Sequence, residues 1–483
     1  MDIKNAALLS SVSGLVSKGI SLLSVVIVAR LLTPEEIGVF VIASSLTLIA
    51  SEIRLIGINA YIIREKELTE EKVRRCIGLA ILVSYSFGLI LLVCSPFISA
   101  YYSNSDLQYL LFFLSVGFFT VPFTAATNAV LTRDYQIKQV LLIQNIGPLL
   151  GLLATVGLII AEFSFYALAI AQAVTATITV ITAFLVKPAW MNWFPIFQNL
   201  RDVTKIGLYN SGIQMLQKLQ TLVPDLVLGR TVGPSFTAIF SRAMGLQIFI
   251  QDVLLTGING IALSYLSRNS NSKASLKSAY LKSTSIINCF VLPPLISAIF
   301  LSESLIYVMF GDQWGESVFY AKLLGIWMAI RTLHQMTYPL LLSLHKEKLL
   351  FISRVAVFCI FMVGIIFVSW SEPKNIASVF IVVSIVDFWL LIAITKVVLN
   401  VGVVDYLRNS SKALLVTLVC GAASFAITKF SFSIMSEWAT ILVAGIMLPL
   451  LWLAMTTITK HILSRVIFEL IHQHVFSRIK RIK

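Results

Sequence analysis

Apolar runs long enough to cross a hydrocarbon core of about 30 Å, which takes roughly 20 helical residues, recur fourteen times along the chain. They fall near residues 8–29, 38–63, 77–97, 109–131, 140–161, 164–186, 206–228, 235–264, 283–301, 318–344, 349–370, 376–395, 413–428 and 438–459. The eighth and tenth exceed the bilayer thickness and are expected to tilt or bend, while the thirteenth is short. No soluble fold presents so many uninterrupted runs, so the pattern predicts an all-α polytopic membrane protein of about 14 transmembrane helices.

The pattern is written twice. Shifting the sequence by 200 positions without a gap gives identities at 18, 22, 30, 34, 40, 43, 46, 55, 57, 58 and 59. Eleven matches over residues 18–60 exceed the roughly three or four that apolar composition alone would supply. They include Lys18 on Lys218, Arg30 on Arg230 and Pro34 on Pro234. Gly57-Ile58-Asn59 falls on Gly257-Ile258-Asn259, and the acid Glu52 on the acid Asp252. A fixed-period repeat implies a duplicated architecture. The expected organisation is an N-terminal lobe of six spans over 1–200, a C-terminal lobe over 201–400, spans thirteen and fourteen over 401–459, and a basic amphipathic tail over 460–483.

Charge sets the orientation. Most of the 37 Lys and Arg residues lie in alternate loops and the tail, whereas the intervening loops hold Arg30, Arg230, Lys374 and Lys429. Basic loops mark the cytoplasmic side, so both termini are expected in the cytoplasm. Spans one and seven then leave the cytoplasm in the same direction. The two lobes become parallel repeats about a pseudo-twofold along the membrane normal. The apolar run after Asn5 is too long for a signal-peptide core, so the first span should be retained. The longest outer loop, 302–317, contains Gly311-Asp312-Gln313-Trp314, a turn expected to place Trp314 at the membrane interface. Beyond Lys460, apolar residues at helical spacing among His, Arg and Lys suggest an interfacial helix on an anionic leaflet.

Composition agrees with a bilayer: 58 % hydrophobic and 12 % charged residues, with a mean hydropathy of +0.90. The net charge of +14 would suit nucleic acid only if it clustered on a soluble face. It is distributed between spans instead, so no nucleic-acid partner is expected. The five cysteines, Cys76, Cys94, Cys289, Cys359 and Cys420, show no metal-ligand or CxxC spacing, and neither metal nor cofactor is expected. Without a Walker loop, transport driven by ATP within this chain is excluded. Gly147-xxx-Gly151 reads as a helix-packing motif.

Ten charges lie inside spans: Lys18, Glu52, Arg54, Lys218, Asp225, Arg242, Asp252, Lys322, Arg331 and Asp387. Each would cost about 2.5–3.5 kcal/mol at the centre of a lipid-facing helix, so the set should face an aqueous cavity or one another. Lys218 and Asp225, seven apart, share a helix face, as do Arg331, His334 and Gln335. Lys322, near an outer end, can snorkel. Six bases against four acids suit an anionic head group such as a diphosphate. Lys18, Arg54, Lys218, Arg242 and Arg331 are the candidate substrate ligands, and Glu52, Asp225, Asp252 and Asp387 the candidate ion-coupling carboxylates. Plain pairing across helices is the alternative for any one of them.

Three stretches carry a family likeness: Ala29-Arg30-Leu31-Leu32-Thr33-Pro34-Glu35-Glu36-Ile37-Gly38, then Asp225 to Gly233 followed by Phe240-Ser241-Arg242-Ala243, and Phe310-Gly311-Asp312-Gln313-Trp314. With the fourteen-span plan, the chain resembles the multidrug/oligosaccharidyl-lipid/polysaccharide exporter superfamily, and within it the polysaccharide transport family of Wzx-type flippases. The resemblance implies a two-lobed transporter, not an enzyme, in the cytoplasmic (inner) membrane. It would flip an undecaprenyl-diphosphate-linked oligosaccharide by alternating access for O-antigen, capsule or exopolysaccharide synthesis. It also implies membrane lipids, a proton or sodium ion and polysaccharide polymerase machinery as partners, and a lipid-tail groove at the last two spans. A drug or cation antiporter of the same fold would favour an acidic cavity, and a polymerase or glycosyltransferase a large outer loop.

Overall fold

In a computed structural model the described residues are 3–54, 61–63, 65, 67–198, 200, 208–255, 258–431 and 436–465. Among them every regular element is helical. In chain order these are α1 (Ile3–Leu31), α2 (Pro34–Arg54), α3 (Glu70–Tyr102), α4 (Asp106–Arg133), α5 (Ile137–Ile160), α6 (Tyr166–Val186), α7 (Leu208–Thr231), α8 (Pro234–Leu255) and α9 (Ile258–Arg268). There follow α10 (Lys273–Phe300), α11 (Ser302–Phe310), α12 (Ser317–Leu333), α13 (Thr337–Ser343), α14 (Glu347–Ser371), α15 (Ile376–Leu399), α16 (Val403–Ser431) and α17 (Glu437–Ile458). Short 3-10 turns occupy Asp312–Trp314 and Pro373–Asn375.

Eleven helices among the described residues are long and apolar enough to cross a membrane, against fourteen expected runs. The other three runs are also helical, at α1, α7 and α12. Of these, α7 carries Gln214, Gln217, Lys218, Gln220 and Asp225, and α12 is only 17 residues long.

Local chemistry explains where the helices begin. Thr33 and Glu36 form a reciprocal capping box at the start of α2: the Thr33 N–H donates to Glu36 Oε2 at 2.8 Å, and the Glu36 N–H to Thr33 Oγ1 at 3.4 Å. Pro34 takes the first helical position, where a missing N–H costs nothing. Its counterpart Pro234 opens α8 after Gly233, whose φ of +119° no side chain readily adopts. Thr69, Ser272 and Ser436 cap α3, α10 and α17 with their side-chain oxygens.

The chain divides into two compact units, Met1–Ser241 with Arg354–Ile376, and Arg242–Ser353 with Ala377–Lys483. In the first, α3 packs on α4, α4 on α6, α5 on α6 and α2 on α7. Its core joins Ile42, Leu110, Leu111, Leu114 and Phe118. The expected packing motif on α5 is present: a Cβ on Gly147 would lie 2.1 Å from Thr179 Oγ1, and one on Gly151 1.8 Å from Thr175 Oγ1. The connector after α6 lies along α3, where Arg74 Nε donates to the Phe194 carbonyl at 2.8 Å and the Ile196 N–H to the Arg74 carbonyl at 3.1 Å. In the second unit α10 packs against α12 and α16, α16 against α17, and α9 against α13.

Three local expectations change. The tenth run is two helices, because the chain turns at residues 334–336 between α12 and α13. The 302–317 segment is α11 and a 3-10 turn rather than an open loop. Trp314 is fully buried within the unit, its ring packed under the Arg242 guanidinium, rather than presented at a surface. Gly57, Gly257 and most of the tail (466–483) lie outside the described residues.

Candidate functional site

In the first unit the predicted charges occupy unlike surroundings. Asp225 sits on α7 and is 6 % exposed. Its Oδ2 accepts a hydrogen bond of 2.9 Å from Ser45 Oγ on α2. Close approach of the two helices makes this possible. A Cβ on Gly229 of α7 would come within 2.6 Å of the Ile42 side chain on α2, and just beyond α7 one on Gly38 of α2 would come within 1.8 Å of the carbonyl oxygen of Pro234, the first residue of α8. Tyr102 fastens the same crossing by donating its hydroxyl to the Leu226 carbonyl at 3.1 Å, and the Arg230 guanidinium lies 4.9 Å over the Tyr101 ring.

Lys218, two turns before Asp225 on the same helix, is exposed. One helix face therefore carries a buried acid and an open base. Lys18 on α1 and Glu52 near the end of α2 are half-buried. Ser17, next to Lys18, donates to Asn145 Oδ1 on α5 at 2.7 Å. The Arg54 side chain lies outside the described residues. Arg354 on α14, which the reading of apolar runs passes over, is a further half-buried charge in this unit.

In the second unit the cations rest on aromatic rings. The Arg242 guanidinium lies 5.5 Å from the Trp314 centroid and 5.9 Å from that of Phe310, and that of Arg331 lies 5.5 Å from Trp327. Such contacts contribute about 0.5–2 kcal/mol each, more as water is excluded. Asp387, 7 % exposed, has its Oδ2 3.6 Å from His334 Nε2. His334 is the residue at which α12 ends, so the expected continuous face from Arg331 through Gln335 is interrupted. The Tyr406 hydroxyl accepts from Asn288 at 2.7 Å and donates to the Leu333 carbonyl, taking up a backbone acceptor freed by that break. Gln247 and Gln251 of α8 donate to the Ala321 carbonyl at 2.9 Å and to Thr332 Oγ1 at 3.1 Å. Asp252, one position on, is exposed, and Lys322 is half-buried.

An apolar groove of about 440 Å³ is the second feature of this unit. Its walls are Ile250 and Leu254 of α8, Phe290 and Pro293 of α10, and Leu448 and Trp452 of α17. Pro293 has no N–H for the Cys289 carbonyl four residues earlier, which must find another donor in a nonpolar medium. Trp452 Nε1 supplies it at 2.8 Å. The hydrogen bond holds α17 to α10 at one wall of the groove. No single-residue signal in the sequence announces the groove; it arises from helices drawn from four separate stretches.

The profile of a family described as "Polysaccharide biosynthesis protein" matches residues 27–319. Teichuronic acid biosynthesis protein TuaB of Bacillus subtilis (strain 168) is 21 % identical over 458 residues, covering 90 % of this chain and 91 % of that protein. Lipopolysaccharide biosynthesis protein WzxC of Escherichia coli (strain K12) is 20 % identical over 331 residues, 66 % of this chain and 65 % of that protein. Among solved structures, an inward closed conformation of the lipid II flippase MurJ superposes with a TM-score of 0.73 at 14 % identity, over 96 % of this chain and all of the other. An inward-facing multidrug resistance MATE transporter gives 0.65 at 16 % identity, over 79 % and 95 %.

Proposed function

The chain belongs to the polysaccharide biosynthesis protein family, and from that membership we propose that it flips a polyprenyl-diphosphate-linked oligosaccharide across the cytoplasmic membrane. The single observation that carries this reading is the apolar groove of about 440 Å³ in a chain whose intramembrane charges are predominantly basic. A substrate with a long hydrocarbon tail and an anionic head needs both. The tail is non-directional and is held in proportion to the apolar area it covers. The head requires cations that stay charged at depth, and Arg resting on aromatic rings meets that need.

Lys18, Arg54, Lys218, Arg242 and Arg331 would hold the diphosphate, Lys as a point charge and Arg as a fork. With both termini inside, moving a dianion outward runs with an inside-negative potential, worth about 2.3 kcal/mol per charge per 100 mV. Return of the empty, positive cavity is then the opposed step. A carboxylate that takes up a proton or sodium ion outside and releases it inside would bias that return. Glu52, Asp225, Asp252 and Asp387 are the candidates. The pairing of Glu52 with Asp252 by the 200-residue repeat favours those two on descent, whereas burial and a fixed hydroxyl partner favour Asp225 on structure. Export of a cationic drug would call for acids in excess, and here bases exceed them.

The test is flipping of a fluorescent polyprenyl-diphosphate oligosaccharide in proteoliposomes, together with the lipid-linked sugars that build up in a deletion strain. Transfer to the opposite leaflet, and accumulation of one lipid-linked repeat unit that the wild-type gene clears, are the expected results. An unaltered lipid-linked pool with no transfer in vesicles would overturn the proposal.

A further inference from the structure

A second cavity, of about 790 Å³, opens in the second unit where α10, α16 and the segment after α17 meet, three stretches whose helices also contribute to the apolar groove. Its lining includes Lys277, Lys282, Arg408, Lys412, Lys460 and Arg465, and among the described residues no lining carboxylate. Asp405 stands just outside it and is engaged by Lys277, whose Nζ lies 3.1 Å from its Oδ2 and also donates to the Asn400 carbonyl at 2.8 Å. Lys412 Nζ donates to the Lys460 carbonyl at 3.2 Å. Lys282, Arg408, Lys460 and Arg465 are exposed. Like charges gathered around one cavity repel unless an anion is present.

The cavity has a built floor. His461, 2 % exposed, accepts at Nδ1 from the Leu463 N–H at 3.2 Å. Its proton is therefore on Nε2, which faces Ser285 Oγ at 2.9 Å. Ser285 donates in turn to the Asn409 carbonyl at 3.2 Å, and Asn409 Nδ2 to the Leu281 carbonyl at 2.7 Å. This neutral network ties α10, α16 and the end of the described chain together and leaves Lys282, Arg408, Lys460 and Arg465 exposed around it.

Both cavities share α10. The basic one takes residues 274–285 and the apolar one begins at Phe290. From Ser285 to Phe290 the helix rises only about 7.5 Å at 1.5 Å per residue, less than the length of a lipid head group with its first chain segments. Basic pockets between helices at the cytoplasmic face are suited to phosphate-bearing lipid heads.

We propose that this basic cavity binds the phosphate head group of a membrane lipid whose hydrocarbon chain lies in the adjoining apolar groove. The site is separate from the intramembrane charges assigned above to the translocated diphosphate. It rests on the groove holding a lipid chain, but not on transport.

The experiment is equilibrium binding to the purified full-length chain, with undecaprenyl diphosphate, cardiolipin and free inorganic diphosphate as three separate probes. It compares wild type with the triple variant Lys282→Gln/Arg408→Gln/Lys460→Gln and with Gly445→Phe, which fills the groove. All three substituted basic side chains are exposed, so the triple variant should fold, and its helicity and melting temperature would be recorded. Expected is binding of at least one lipid probe that weakens by about tenfold or more in both variants, with free diphosphate binding much more weakly to all three proteins. A preference for undecaprenyl diphosphate would identify the head as that of a substrate-class lipid, and one for cardiolipin as that of a bulk phospholipid. Equal lipid binding by wild type and the triple variant, or free diphosphate binding as tightly as the lipids, would overturn the proposal. Because binding is read without flipping, a chain that binds but does not flip would retain this site while refuting the proposed transport.

Discussion

Ser45 on α2 donates a 2.9 Å hydrogen bond to the carboxylate of Asp225 on α7, and seven residues earlier on α2 Gly38 meets the backbone of Pro234 at the start of α8. Polar pairing and steric fit thus occur at two neighbouring points along α2, and they can be separated by substitution.

Asp225→Asn keeps an acceptor for Ser45 and removes the charge. If Asp225 is the coupling acid, the variant should fold with near-normal melting while its flipping rate in proteoliposomes no longer responds to an imposed proton or sodium gradient. Ser45→Ala should leave the response in place and lower stability by about 1–3 kcal/mol, the cost of a buried polar group that loses its partner. A gradient response in Asp225→Asn equal to that of wild type would move coupling to Glu52, Asp252 or Asp387, tested in the same way with Glu52→Gln, Asp252→Asn and Asp387→Asn.

Gly38→Ala tests the fit. A Cβ there would stand 1.8 Å from the Pro234 oxygen and 2.8 Å from its Cα, and neither is a flexible atom that can step aside. The helices must separate, costing about 1–3 kcal/mol or more. Gly157→Ala on α5 is the control: nothing lies within 4 Å of its Cβ, so it should be neutral or slightly stabilising. Thermal melting in detergent distinguishes them.

How far the sequence could be read is visible at this crossing. The 200-residue repeat singled out Pro34 and Pro234, with Glu52 and Asp252 eighteen residues beyond them, and the glycine of the Thr33 to Gly38 stretch was already part of a family-like motif. Helix geometry correctly put Lys218 and Asp225 on one face, but not at one depth. The first is open and the second sealed, with α2 reaching Asp225 through Ser45 and Gly229 through Ile42. Burial of that kind depends on contacts between residues about 180 positions apart, and no local periodicity encodes them. The break after Leu333 was invisible for a related reason: residues 318–344 read as one long, mostly apolar run despite Lys322, Arg331, His334 and Gln335, and the freed carbonyl is satisfied by Tyr406, more than 70 positions later.

Lys218→Gln is expected to reduce polysaccharide export by an order of magnitude or more while insertion and folding persist, since the side chain is exposed and its loss leaves no buried partner unsatisfied. Lys18→Gln should act in the same direction, and the double variant should be no better than the worse single. Export measured by surface polysaccharide in a complemented deletion strain decides it; full export by the single and double variants would remove both residues from the substrate site.

His461 gives a pH dependence with a definite sign. Burial chiefly, and the neighbouring Lys412 second, hold its folded pKa below the ordinary 6.5. The folded chain therefore binds fewer protons there than the unfolded chain, and stability falls as protons are added. The contribution is complete above about pH 6.5 and declines as the pH drops below that value. Melting temperatures between pH 8 and pH 5 should fall at the acidic end for wild type and fall less for His461→Gln. A parallel decline in the two proteins would assign the acid sensitivity elsewhere.

Pro293 and Trp452 are bound together in a way that extends to the history of the chain. The indole of Trp452 answers a carbonyl that is orphaned only because residue 293 is proline. Loss of the indole alone strands the Cys289 oxygen, whereas Pro293→Ala would first restore a backbone donor and make the indole dispensable. Descent can pass through one order of change and not readily through the other, so the two positions act as a single heritable character. Lineages that alter this wall of the groove should give up the proline before the tryptophan.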